Sequence, residues 1–154
     1  MEEGQILSKP SDAQLQLAGY VRNLNFKQTT YCYINPLGFI SKDHSYCALG
    51  GIAKNLGLSN TVLLLHPDKV KKTIENALNM SPEEKKQLYR CPYCKEQERS
   101  LLAMIPHFND THKFNWKGIA DKLEILHLFK VKPRPNTNKI IRVIRIWYNR
   151  ALVN

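Results

Sequence analysis

The sequence predicts a helix-rich α+β fold, and three observations carry that expectation. Several stretches repeat apolar residues at helical spacing behind serine or proline start signals. One run of β-branched and aromatic residues, at 29–41, is broken by Asn35, Pro36 and Gly38, which predicts a small β-hairpin near the N-terminus. Two cysteines and two histidines fall between 91 and 112 at metal-ligand spacing, which predicts a stapled segment embedded in the fold.

In chain order, "SDAQLQLAGYVRNL" opens with Ser11 and carries Gln14 three residues on, a capping-box signature, so a helix is expected over 12–24 with Leu15, Leu17, Ala18, Val21 and Leu24 on one broad face. After the hairpin, "KDHSYCALGGIAKNLGLS" predicts a helix of small residues ended by Gly57 in a left-handed conformation. Gly50 and Gly51 inside it point to close packing against another element. "NTVLLLHP" fits a buried strand or a helical turn. "PDKVKKTIENALNM" and "SPEEKKQLYR" predict two helices meeting near Met80, the second with Ser81 as N-cap, Pro82 first and Glu84 third. "NWKGIADKLEILHLF" is another amphipathic helix, with Trp116, Ile119, Ala120, Leu123 and Leu126 or Ile125 inward. "KVKPRPNTNK" is a proline-punctuated basic linker, and "IIRVIRIWYNRALVN" is an amphipathic segment compatible with helix or strand. The expected organisation is an N-terminal α+β portion at 1–80, a stapled helical portion at 81–128 packed on it in one domain, and a basic linker and C-terminal segment at 129–154.

Composition narrows the function classes. Apolar residues make up 43% and charged residues 23% of the chain, which excludes a wholly disordered protein. No apolar run approaches the roughly 18–20 residues that span a bilayer. The first residues are acidic and polar where a signal peptide would be basic and then apolar, so a reducing cytoplasm, the host's if the protein is viral, is the expected location. The net charge of +10 is uneven. Before residue 129 basic and acidic side chains nearly balance, sixteen against thirteen, whereas Lys130, Lys132, Arg134, Lys139, Arg142, Arg145 and Arg150 follow with no acidic residue. That segment suits a polyanion, with nucleic acid favoured over an acidic protein partner because Trp147 and Tyr148 can stack on bases.

Cys91, Cys94, His107 and His112 form Cys-x2-Cys-x12-His-x4-His, inside the spacing window of a structural Cys2His2 zinc site. A Cys-x2-Cys turn aims two sulfurs at one point, and two histidines about one helical turn apart can close a tetrahedron over them. Arg90 and Lys95 flank the sulfurs and favour thiolates. The apolar residues between Arg90 and His112 are too few to hold a separate module, whereas structural zinc contributes on the order of 10 kcal/mol. A DNA-reading finger carries an aromatic residue nine positions before its first histidine; here that position is Glu98, so a zinc-stapled part of a larger fold is expected. Pro106 requires the ligand helix either to kink or to begin a fresh turn before His107.

Rival chemistries fare less well. "CPYC" is also the dithiol motif of glutaredoxins, but here it follows a charged helix, precedes five polar residues, and leaves both histidines unexplained. Asn109 and Asp110 invite a nuclease reading, yet four filled ligand positions leave no place for a catalytic water. Cys32, His44 and Cys47 could pair as nucleophile and base or hold a second metal, against the plainer expectation of buried free cysteines. His66 and His127 are expected to be structural or exposed. The protein is therefore expected to be non-enzymatic.

"CPYC", "SLLAMIPHFNDTH" and "FNWKGIADKLE" resemble a group of small phage and prophage proteins. In these a Cys-x2-Cys knuckle is paired with a helix ending in Asn-Asp-x-His and a following tryptophan-containing helix. The resemblance covers residues 91–124, and "YCALGGIAKNLG" is similar to an upstream element seen with it. It implies Cys91, Cys94, His107 and His112 as ligands and a viral or mobile-element origin. Pro106 departs from the apolar residue usual at its place.

Overall fold

The computed structural model describes residues 9–30, 32–36, 44–94 and 97–132. Helices dominate, joined by two two-stranded sheets. Helix α1, Asp12–Arg22, starts where Ser11 Oγ accepts the Gln14 N–H at 3.1 Å. Only half of the expected capping box forms, because the Gln14 side chain turns inward instead. Fully buried, it donates to the Leu123 carbonyl at 2.6 Å. Of the apolar residues expected on one face, Leu15 proves exposed while Leu17, Ala18, Val21 and Leu24 are buried.

Strands β1, Lys27–Gln28, and β2, Ser45–Tyr46, pair in parallel. Ile34 makes an isolated antiparallel bridge to Tyr46, with the Asn35 N–H donating to the Ser45 carbonyl at 2.9 Å, which is not the pairing within 29–41 that the sequence predicts. The second hairpin arm, at 39–41, lies outside the described residues. Helix α2, Ala48–Asn55, follows directly and ends at Gly57, which adopts the left-handed φ of +105°. Gly50 faces the Tyr33 main chain so closely that a Cβ there would overlap the Tyr33 carbonyl oxygen, which accounts for a glycine inside a helix.

"NTVLLLHP" resolves as helix α3, Asn60–Leu65, because Ser59 Oγ caps it by accepting the Val62 N–H at 3.2 Å. Helix α4, Asp68–Ala77, buries Val70 and Ile74. Helix α5, Pro82–Lys86, has the full capping box: Ser81 Oγ accepts the Glu84 N–H at 3.2 Å and Glu84 Oε2 accepts the Ser81 N–H at 2.9 Å. It is shorter than its sequence suggests. Gln87 turns extended, and Leu88–Arg90 is strand β3, paired antiparallel with β4, Glu98–Ser100. The pairing is non-local, and it outweighs a helical preference that only the cap supports.

Helix α6, Leu101–Pro106, passes into a π-helical turn, His107–Thr111. Helix α7, Trp116–Ile125, is capped by Asn115 and turns Ile119, Ala120 and Leu123 inward. Leu126, in a 3-10 turn over Leu126–Phe129, is fully buried while Ile125 is exposed, which settles their ambiguity. Beyond it, Lys130 bridges Tyr89 and the Val131 N–H donates to the Leu88 carbonyl at 2.9 Å, adding a third antiparallel segment beside β3. One cluster of buried side chains runs from Ala13 in α1 to Leu126 and includes Tyr89, Cys91 and all the inward residues of α6. Among the described residues no helix is long and apolar enough to cross a membrane.

Candidate metal centre

The β3–β4 hairpin, α6 and the π-turn after it make a ββα unit, with both cysteines in the hairpin turn and both histidines at the ends of the π-turn. Arg90 and Glu98 face each other across the ladder and pair at 3.2 Å. The chain turns at Cys91-Pro92-Tyr93-Cys94, and the Tyr93 N–H donates to Cys91 Sγ at 3.4 Å. Ser100 then caps α6 by accepting the Ala103 N–H at 3.4 Å.

The histidine spacing explains the π-turn. In an α-helix five residues advance about 140° past a full turn, which would splay His107 and His112 apart. A turn closed by an i to i+5 bond brings the fifth residue back over the first. The His112 N–H donates to the His107 carbonyl at 3.3 Å, making that bond. Pro106, which has no N–H to continue the α-helical ladder, stands where the winding changes. The backbone stays helical through Pro106 and changes from α to π winding at His107.

Convergence is tight. Cys91 Sγ lies 3.3 Å from His112 Nε2, Cys94 Sγ lies 3.2 Å from His107 Nε2, and the two Nε2 atoms are 3.1 Å apart. All four ligand atoms lie within 4.8 Å of one another, so the cluster could hold a metal ion. A tetrahedral ion with zinc-like bond lengths sets edges of about 3.3 Å between nitrogens and about 3.5 Å between nitrogen and sulfur. The three close separations match those edges to a few tenths of an ångström. Two imidazole nitrogens and two sulfurs pointing at one another crowd their lone pairs, an arrangement that a shared cation satisfies. Cys91 and His107 are buried, whereas Cys94 and His112 are half-buried.

A buried amide holds the turn in place. Asn109, fully buried between the two histidines, donates through Nδ2 to the Thr29 carbonyl at 2.9 Å and to Asp110 Oδ1 at 2.6 Å. Its Oδ1 accepts from Gln28 Nε2 at 2.9 Å, and the same Nε2 donates to the Phe114 carbonyl at 2.7 Å. Strand β1 is thereby fastened to both ends of the His112 loop. Trp116 adds a third fastening, its Nε1–H donating to the Phe26 carbonyl at 3.1 Å. Phe114 stacks on His112, with centroids 5.6 Å apart and planes 18° from parallel.

Sequence reasoning passed over Gln28 and Phe114 and gave Asn109 no structural part. A polar residue between two ligands in an apolar helix was the available signal for Asn109; Gln28 had none.

Cys32 and Cys47 do not join the cluster. They line a separate cavity of about 430 Å³ with Tyr33, Leu63, Pro106 and Asp110. Burial pushes the Cys47 thiol up to about 12, which favours the protonated form at neutral pH. Its sulfur instead accepts the Gly50 N–H at 3.5 Å at the start of α2. Among the described residues the Cys91–His112 group is the one cluster of metal-ligating type. His66 is exposed, and His127 Nδ1 lies 3.3 Å from Gln14 Nε2. Of the predicted basic residues, Lys130 and Lys132 are exposed, whereas Arg134, Lys139, Arg142, Arg145 and Arg150 lie outside the described residues, as does the final amphipathic segment.

Comparison of the chain with protein-family models, curated proteins and solved structures returns no match.

Proposed function

We propose that this is a non-enzymatic zinc protein, of phage or mobile-element origin, that binds nucleic acid through its basic C-terminal segment. The observation that carries the metal half is the convergence of two sulfurs and two Nε2 atoms on one point. Thiolate and imidazole in a four-ligand set suit Zn2+, and a site with four protein ligands has no open position for substrate or water. The role is then structural, closing the hairpin onto α6 and the π-turn.

The ββα unit resembles a finger in outline but is used differently. Leu101, Leu102, Met104 and Ile105 of α6 are all buried in the domain, so this helix offers no face for a DNA groove. Nucleic-acid affinity is instead assigned to the seven basic residues from Lys130 to Arg150, which carry no acidic counterpart. A thiol-disulfide role has less support, since Cys91 is fully buried at a hairpin turn with a histidine nitrogen against its sulfur.

The test is the affinity of the full chain for DNA and RNA across a salt series. The proposal expects log affinity to fall linearly with log salt, and the slope to shrink by about 1.4–1.8 when Arg142 and Arg145 both become alanine. A salt-insensitive complex with a protein partner, lost on truncation after Leu128, would instead make the segment a docking element.

A further inference from the structure

The geometry points to a second nucleic-acid contact on the metal face: Tyr93, backed by Phe114 and flanked by Lys122, stacks on an unpaired base of a single-stranded nucleic acid. This rests on the proposal that the partner is nucleic acid, and it moves part of the contact from the tail to the Cys-x2-Cys turn.

Tyr93 is the one aromatic among the exposed large apolar side chains of the described residues, with half of its surface open. It is nonetheless held in place. Its ring meets Phe114 edge-on with centroids 5.4 Å apart, and His112 at 5.4 Å and 52°. Phe114 is itself stacked on His112, so a liganded histidine would support the whole array. An exposed ring fixed at a turn between two ligands loses little side-chain freedom on stacking, which favours binding.

The surrounding charge has the sign a phosphate needs. Lys122 Nζ lies 5.3 Å from the Tyr93 centroid and 5.9 Å from that of Phe114. The acidic residues of α7 are turned elsewhere, Asp121 and Glu124 pairing with Arg22 on α1 at 3.0 and 2.6 Å. Lys113 and Lys117, both exposed, bracket Phe114 in the chain. A divalent ion with two thiolates and two neutral imidazoles has no net charge, so the centre itself would not repel a polyanion. An aromatic platform beside ammonium groups is the combination that sequence-tolerant single-strand binding uses.

The test uses the full, zinc-loaded chain, a fluorescent oligothymidine and an abasic strand of equal length. Stacking predicts that wild type binds oligothymidine about 5–150-fold more tightly than the abasic strand. Tyr93→Leu, which keeps apolar packing but has no ring, should lose that preference at unchanged zinc content, and Tyr93→Phe should keep it. Lys122→Ala should weaken binding to both strands. Equal affinity of wild type and Tyr93→Leu for oligothymidine would overturn the inference while leaving tail binding intact. Failure of wild type to bind either strand, or any DNA or RNA, would overturn the proposed function and this inference with it.

Discussion

Asn109→Ala tests whether the metal centre is preorganised by the protein around it. The substitution removes two donated bonds and one accepted bond of a fully buried side chain. Gln28 Nε2 keeps its bond to the Phe114 carbonyl, but the Thr29 carbonyl loses the Asn109 donor. At about 1 kcal/mol for each of the three net hydrogen bonds, with about 1–3 kcal/mol more for a polar group left unsatisfied, the loss is about 4–6 kcal/mol. Part of it should appear only with metal bound, because groups that orient metal ligands typically contribute a factor of about 10–100 in affinity. Metal-loaded protein should then lose about 1.4–2.7 kcal/mol more than metal-free protein. Urea unfolding with and without zinc, together with a zinc competition titration, measures both quantities. Asn109→Asp should do no better, since it keeps the acceptor for Gln28 but turns a carboxylate toward Thr29 O and Asp110. Unchanged zinc affinity in both variants would refute the positioning role.

Three other outcomes are expected. Gly50→Ala should destabilise by about 3 kcal/mol, because the overlap is with the Tyr33 main chain and no rotamer relieves it; a melting temperature within a degree of wild type would contradict this packing. Stability should decline from pH 9 toward 12, where the unfolded thiol of Cys47 has lost its proton and the buried one has not, at up to about 1.4 kcal/mol per pH unit. Burial raises Tyr33, Tyr46 and Tyr89 in the same direction. Cys47→Ser, whose hydroxyl can still cap α2 and does not titrate, should flatten the decline, and identical slopes would show that Cys47 is not its source. Chelation should release amide protection in Leu88–Arg90 and Glu98–Ser100 well before α1 and α7, with uniform loss across the chain as the contrary result.

Legibility followed the range of the forces involved. The ligand set could be read because its spacing is local to the knuckle and the helix. Ser11, Ser81 and Gly57 could be read because caps act within one turn. The strand at Leu88–Arg90 could not, since its three residues follow a strong cap and their partners are Glu98–Ser100 and Val131, which lie well ahead in the chain. The parallel pair of Lys27–Gln28 with Ser45–Tyr46 was hidden likewise: two polar-edged residues carry no periodic signal, and the pairing depends on tertiary packing. The π-turn lay between these cases. Its ingredients, Pro106 and the His-x4-His spacing, were visible, but that spacing passes for one helical turn, and periodicity assumes regular winding and is blind to one added residue. Gln14 shows the same limit, matching a capping box in sequence while its side chain is claimed by the Leu123 carbonyl.

Metal content of the purified full chain, measured by elemental mass spectrometry on wild type and Cys91→Ser, tests the central claim most directly. The account predicts one zinc per wild-type chain and a large loss of zinc in the variant. Metal-free wild type whose Cys91 and Cys94 form a reversible disulfide would contradict it and make the Cys-x2-Cys turn a redox site.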